Sequence, residues 1–229
     1  MNNSFDHEDK LVQEIRTRLR AAGESVWQRY PLPWPLPSFK SCPTAARNLF
    51  SLLQDATVYL VMRDPCLRPV REAVVNQGKR LVWPSRHADT LLSIHRPVIQ
   101  SSNDCQKGVL RIDPPPGDAL PFKGAVDAVI VACLAFNRYR RRPYTFELEK
   151  TAYALDRMRE GLSNGWRLPQ GVPVVLVAAD QQEVDCWPES AQGFVEADLV
   201  VTPTRVIMLG SGEEVPVLKD PLPDLRIGM

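Results

Sequence analysis

The 229-residue chain has no apolar run close to the roughly eighteen residues that a membrane-spanning helix needs, and its first ten residues are polar and charged, without a signal-peptide pattern. These two absences lead us to expect a soluble, cytoplasmic protein. Histidine is scarce: His7, His87 and His95 are too scattered for a metal cluster, and there is no GxSxG, HExxH or Walker loop, so a hydrolytic triad is not expected. The five cysteines, at 42, 66, 105, 133 and 186, contain no CxxC pair and are odd in number, which argues against a disulfide framework or a zinc site. Neither sign of charge is in excess. Twenty-eight Lys and Arg against 27 Asp and Glu leave +1, so nothing draws the whole chain to nucleic acid or to a membrane, and any affinity for a polyanion would have to be local. The sequence leaves the oligomeric state open, and no internal repeat is visible.

Proline and aliphatic residues are abundant. The 21 prolines are about twice the usual share and punctuate strong apolar runs, as expected for rigid connections between packed elements. With 44% apolar residues the chain can bury one good core, and we read 1–229 as a single domain with its core at about 10–209 and a C-terminal arm at 210–229.

The organising stretch is 124–162. Residues 126–133 are β-branched and uncharged after Asp127, the pattern of a strand buried on both faces of a largely parallel sheet. A loop follows with Arg138, Tyr139, Arg140, Arg141, Arg142, Pro143 and Tyr144. Beyond it, Leu148, Ala152, Leu155, Met158 and Leu162 recur at helical spacing, with Thr145 placed to cap the helix and Glu147 and Glu149 in its first turn. Open α/β sheets bind ligands at such strand-to-helix loops, and arginine forks suit phosphate or carboxylate. A solvated charge run in a surface connection is the plainer alternative.

The rest alternates. Residues 8–28 read as an amphipathic helix, 29–38 as an extended proline-rich crossing, 43–54 as a helix and 56–62 as a strand. Pro69 suits the first turn of a helix ending at Gly78, and 79–84 follow as a strand. Residues 95–123 read as loops with at most short strands; 173–179, 197–202 and 205–209 read as further strands. This order is that of an α/β fold with a mostly parallel sheet. Two loops at strand ends offer chemistry: Trp83-Pro84-Ser85-Arg86-His87, and 180–189 with Asp180, Glu183, Asp185 and Glu189 as candidate partners of a magnesium ion or a ring nitrogen.

Several pieces together resemble the 5-formyltetrahydrofolate cyclo-ligase family, also called methenyltetrahydrofolate synthetases. They are Tyr30-Pro31, Arg68-Pro69-Val70-Arg71, Gly78-Lys79-Arg80-Leu81 through Pro84, Val126-Asp127, Tyr153-Ala154-Leu155, and Asp198-Leu199-Val200-Val201-Thr202-Pro203-Thr204-Arg205-Val206-Ile207. The resemblance spans about 10–209 and implies a three-layer α/β/α sandwich of the NagB/RpiA/CoA-transferase-like type. It also implies ATP- and magnesium-dependent conversion of 5-formyltetrahydrofolate to 5,10-methenyltetrahydrofolate, in which ATP activates the formyl oxygen as a phosphate before a ring nitrogen attacks the carbon. On this reading Arg138, Arg140, Arg141, Arg142 and Tyr144 hold phosphate, Tyr30, Trp83, Arg86 and Glu189 line the folate site, and Glu147 or Glu149 holds Mg2+. The chain departs from the family pattern where the glycine-rich GxGxGYxD loop belongs: near 142–150 it has Arg-Pro-Tyr-Thr-Phe-Glu-Leu-Glu-Lys. The Pro-His-Asp stretch before the DLxVTPT aspartate is missing too. A catalytically degenerate protein that binds a nucleotide, folate or other anion without turnover is therefore the alternative expectation.

Overall fold

The computed structural model describes residues 3–24, 39–62, 64–84, 91–94, 120–144, 148–186 and 195–216. The proline-rich crossing at 29–38, most of the 95–123 connection and the end of the C-terminal arm lie outside them.

The helices are α1 (Asn3–Ala21), α2 (Cys42–Leu52), α3 (Arg68–Asn76) and α4 (Leu148–Glu160). The strands are β1 (Val58–Val61), β2 (Arg80–Pro84), β3 (Leu91–Ile94), β4 (Leu120–Pro121), β5 (Ala128–Ala132), β6 (Val174–Val177), β7 (Leu199–Val201), β8 (Val206–Met208) and β9 (Glu214–Val215). Among the described residues, these nine strands form one sheet in the order β4-β3-β2-β1-β5-β6-β7-β8-β9. The five central strands, β2 to β7 in that order, are parallel, and an antiparallel pair flanks each side.

The apolar runs account for this centre. Every residue of β5 and of β6 is buried, so both faces are covered, as a continuous β-branched run requires. Each large aliphatic side chain there, such as Leu60, Ile130 or Leu176, contributes about 1.5–3 kcal/mol by leaving water. Local signals set the helix ends. Pro43 and Pro69 stand in the first turns of α2 and α3, where a missing N–H costs nothing. Gly78 follows α3 at φ 69°, a left-handed conformation that suits glycine. Glu24 supplies the acceptor at the start of α2, its Oε2 taking the Ser41 amide at 2.8 Å and the Ser41 hydroxyl at 2.7 Å.

The connection β1–α3–β2 runs along the sheet in one direction and β5–α4–β6 in the other. With right-handed crossovers, that places α3 and α4 on opposite faces and makes a three-layer α/β/α sandwich. Helix α2 packs on α3 and against β6 and β7. The direction reverses between β1 and β5, and the crevice outside the carboxyl ends of those two strands is where this architecture binds ligands.

β3 and β9 escaped the sequence reading, whereas β4 falls in 95–123, where short strands were allowed for. β3 and β4 add an antiparallel flank beyond β2, and Glu214–Val215 of the expected arm pairs with β8.

Candidate functional site

The loop from β5 to α4 leaves the carboxyl edge of the sheet and folds back on itself. Ala135 bridges Tyr144 in antiparallel fashion, and Phe136 bridges Glu183 in parallel. The amides of Leu134 and Ala135 donate to the Tyr144 carbonyl at 2.8 and 3.1 Å, the Tyr144 amide returns to Ala135 O at 2.9 Å, and the Phe136 amide reaches Gln182 O at 3.0 Å. Two buried amide side chains complete the closure. Gln182 donates through Nε2 to the carbonyls of Cys133 and Leu134 at 2.7 and 3.0 Å, while Asn137 Nδ2 donates to those of Val184 and Asp185 at 3.0 and 2.7 Å. Phe136 and Tyr144 are fully buried, so aromatic side chains fill the interior of the turn.

Beside this loop lies a charged network. Glu183 is gripped by two guanidinium groups: Arg138 donates through Nε to Oε1 at 2.6 Å and through Nη2 to Oε2 at 3.2 Å, and Arg205 Nη2 lies 2.9 Å from Oε2. Arg205 also reaches Asp180 Oδ1 through Nε at 3.2 Å, and both arginines approach Glu214 Oε1, at 3.4 and 3.7 Å. The hydroxyls of Thr202 and Thr204 donate to Asp180 Oδ1 at 2.6 and 2.7 Å. Burial alone would raise the Glu183 carboxyl. The hydrogen bond from Arg138, the charge of Arg205 and a hydrogen bond from Arg205 outweigh it and hold that carboxyl below the usual range. For Arg138 the hydrogen-bonded Glu183 has the opposite effect and strengthens its hold on the proton. α1 closes over this corner, with Arg18 donating to the Glu183 carbonyl at 3.0 Å.

A second cluster sits at the ends of β1 and β2. Arg71 of α3 is 6% exposed, donates through Nη1 to the carbonyls of Met62 and Asp64 at 3.1 and 2.8 Å, and lies over the Trp83 ring at 5.8 Å. The thiols of Cys42, Cys66 and Cys133 are buried nearby, and burial pushes Cys42 up to about 12 and the other two well above the ordinary thiol value, so all three are inert as nucleophiles.

A solved structure shares this architecture. The NMR structure of 5,10-methenyltetrahydrofolate synthetase from Aquifex aeolicus aligns with a TM-score of 0.53 and 18% identity, covering 90% of this chain and 96% of that one. The two chains share a fold. Leishmania donovani UMP synthase aligns at a TM-score of 0.32 and 13% identity over 74% of this chain and 32% of that one, too low to bear on fold or function. No family model matches the sequence, and no curated protein does.

On this fold, the residues singled out from the sequence divide. Arg138 stands in the carboxylate network; Arg142 is exposed and 3.4 Å from the equally exposed Glu196; Arg140 and Arg141 are exposed on the same loop, the Arg141 stem lying over Gly210. Tyr144 faces the interior, and Trp83 is buried beneath Arg71. Tyr30, Arg86, Glu147 and Glu189 lie outside the described residues, as does the side chain of Glu149. Among the described residues no group of three His, Cys, Asp or Glu is arranged to hold a metal ion.

The loop lacks the glycines of the phosphate cradle that the resemblance implies. Such cradles present glycine amides to the anion. Here 125–160 contains no glycine, and the amides of Leu134, Ala135, Phe136, Tyr139, Arg140 and Tyr144 already have partners inside the protein. Two contributors were missed in the sequence. Arg205 was visible only as part of the Thr-Pro-Thr-Arg turn; Arg71 could have been found as a charge on the buried face of α3, next to Val70 and one turn before Val74.

Proposed function

We propose that this chain uses a cyclo-ligase-type fold to bind an anionic small molecule, a folate or a nucleotide, at the carboxyl edge of the sheet, without ATP-driven ring closure. The observation that carries this reading is the self-closed β5–α4 loop. Six of its backbone amides, those of Leu134, Ala135, Phe136, Tyr139, Arg140 and Tyr144, have partners inside the protein, and its first arginine, Arg138, is paired with Glu183. A phosphate arriving there would have to displace a carboxylate held by two guanidinium groups, which costs more than filling an open site. The reversal of strand order between β1 and β5 supports a site at their carboxyl ends, since open α/β sheets bind ligands at such a switch point.

The second reading is ATP- and magnesium-dependent conversion of 5-formyltetrahydrofolate to the 5,10-methenyl form, with the exposed arginines of the loop holding phosphate oxygens. The fold match along nearly the whole of both chains favours it. Purified protein incubated with 5-formyltetrahydrofolate, ATP and magnesium should give no methenyl absorbance, while either compound alone raises the melting temperature. A ligand present at 100 times its Kd adds about 2.7 kcal/mol to the folded state. Appearance of the chromophore would replace the first reading by the second; no shift with either compound would overturn both.

A further inference from the structure

Arg71 is a buried cation whose bonding is incomplete. Its Nη1 is used by two carbonyls, but Nε, also buried, has no hydrogen-bond partner among the described residues. An orphaned N–H of a buried guanidinium is costly, and native structures retain such groups where something else completes them. The charged and titratable groups around Arg71 do not supply the missing acceptor. Asp64 turns Oδ1 to the Cys66 amide at 2.9 Å, Glu72 Oε1 takes Arg68 Nε at 2.8 Å, and the Cys66 thiol is held protonated by burial and by Asp64.

Position completes the case. Arg71 Nη1 holds the Met62 carbonyl, and the Met62 amide donates to Ile130 of β5 at 3.0 Å, so the guanidinium stands where β1 meets β5 and the strand order reverses. Trp83, at the end of β2, offers an aromatic face directly against it. A fixed cation beside an aromatic plane, both buried at the carboxyl ends of β1 and β2, suits an anion attached to a flat ring system.

We propose that Arg71 is the anion-binding residue of this site, its Nε–H taking a carboxylate or phosphate oxygen of the bound molecule while Trp83 flanks the ring. This assignment rests on the binding reading above and moves the grip on the ligand from the β5–α4 loop to α3.

The test compares wild type with Arg71→Lys by calorimetry, titrating 5-formyltetrahydrofolate and ATP separately. Lysine keeps a cation for the Met62 and Asp64 carbonyls but has no Nε–H. Loss of one charge-assisted hydrogen bond weakens binding about 10- to 100-fold. Weakening confined to the folate assigns a carboxylate; weakening confined to ATP assigns a phosphate. If Arg71→Lys lowers the melting temperature and leaves both Kd values unchanged, Arg71 is purely structural and the proposal is overturned. Wild type that binds neither probe overturns the binding reading itself. Should the variant not fold, the Arg71 Nε–H resonance of wild type, assigned through bonds from its own backbone, decides instead: it shifts on ligand addition, and an unmoved resonance with bound ligand refutes the assignment.

Discussion

Replacing Glu183 by Gln removes the more closely held of the two carboxylates that both Arg138 and Arg205 contact, while keeping the size of the side chain. The three side chains are 22–25% exposed, between the surface and buried regimes. Two unit charges about 4 Å apart attract by roughly 4 kcal/mol at an effective dielectric near 20, and desolvation cancels half or more of that. We expect Glu183→Gln to cost about 2 kcal/mol, a fall in Tm of about 4–8 °C for a chain of this size. In a double-mutant cycle with Arg138→Gln, the coupling should be about 1–2 kcal/mol. The effect must also follow pH with a definite sign. The folded Glu183 carboxyl lies below its ordinary value, so its contribution is complete above the unfolded value of about 4.3 and disappears as pH falls through the lower, folded one. Chemical denaturation of the four proteins of the cycle at pH 7 and at pH 3 measures both. A coupling under about 0.5 kcal/mol at pH 7, or a gap between wild type and Glu183→Gln that widens on acidification, refutes the network as a lock on the β5–α4 loop.

Tyr144→Ala empties a fully buried site inside the same loop and should cost about 3–4 kcal/mol by denaturant titration; a loss under about 1 kcal/mol would mean that the loop is not packed. Asp127→Ala frees the amides of Thr57 and Val58, held at 2.7 and 2.9 Å at the start of β1. Because the site is exposed, the expected loss is only about 1 kcal/mol, present near neutral pH and fading below about pH 4 in an acid titration of stability. In thiol labelling followed by peptide mass spectrometry, exposed Cys186 should react in the native protein, whereas Cys42, Cys66 and Cys133 should wait for unfolding.

The central sheet was legible because burial on both faces leaves continuous aliphatic runs: 126–133 became β5, 173–179 became β6, and 56–62 became β1. Pro69 and Gly78 marked α3 to within a residue or two for the same local reasons that hold in the structure. The short edge strands were not legible. β4 and β9 span two residues each and are specified by their partners β3 and β8, not by a pattern of their own. In the candidate site, the departure from a glycine-rich loop was visible in the sequence, but the use of Arg138 was not. Its partners Glu183 and Glu214 lie 45 and 76 residues away and meet it only because β6, β7 and β8 lie side by side. Arg71 escaped because a charge on an amphipathic helix is ordinarily assigned to the solvent face.

Binding and turnover separate most directly in one calorimeter cell, by injecting the chain into 5-formyltetrahydrofolate with ATP and magnesium. Binding without turnover predicts injection heats that saturate, with the thermal power returning to baseline after each injection. Sustained power that scales with the amount of protein would show ring closure, and the absence of any heat beyond dilution would contradict binding at the carboxyl edge altogether.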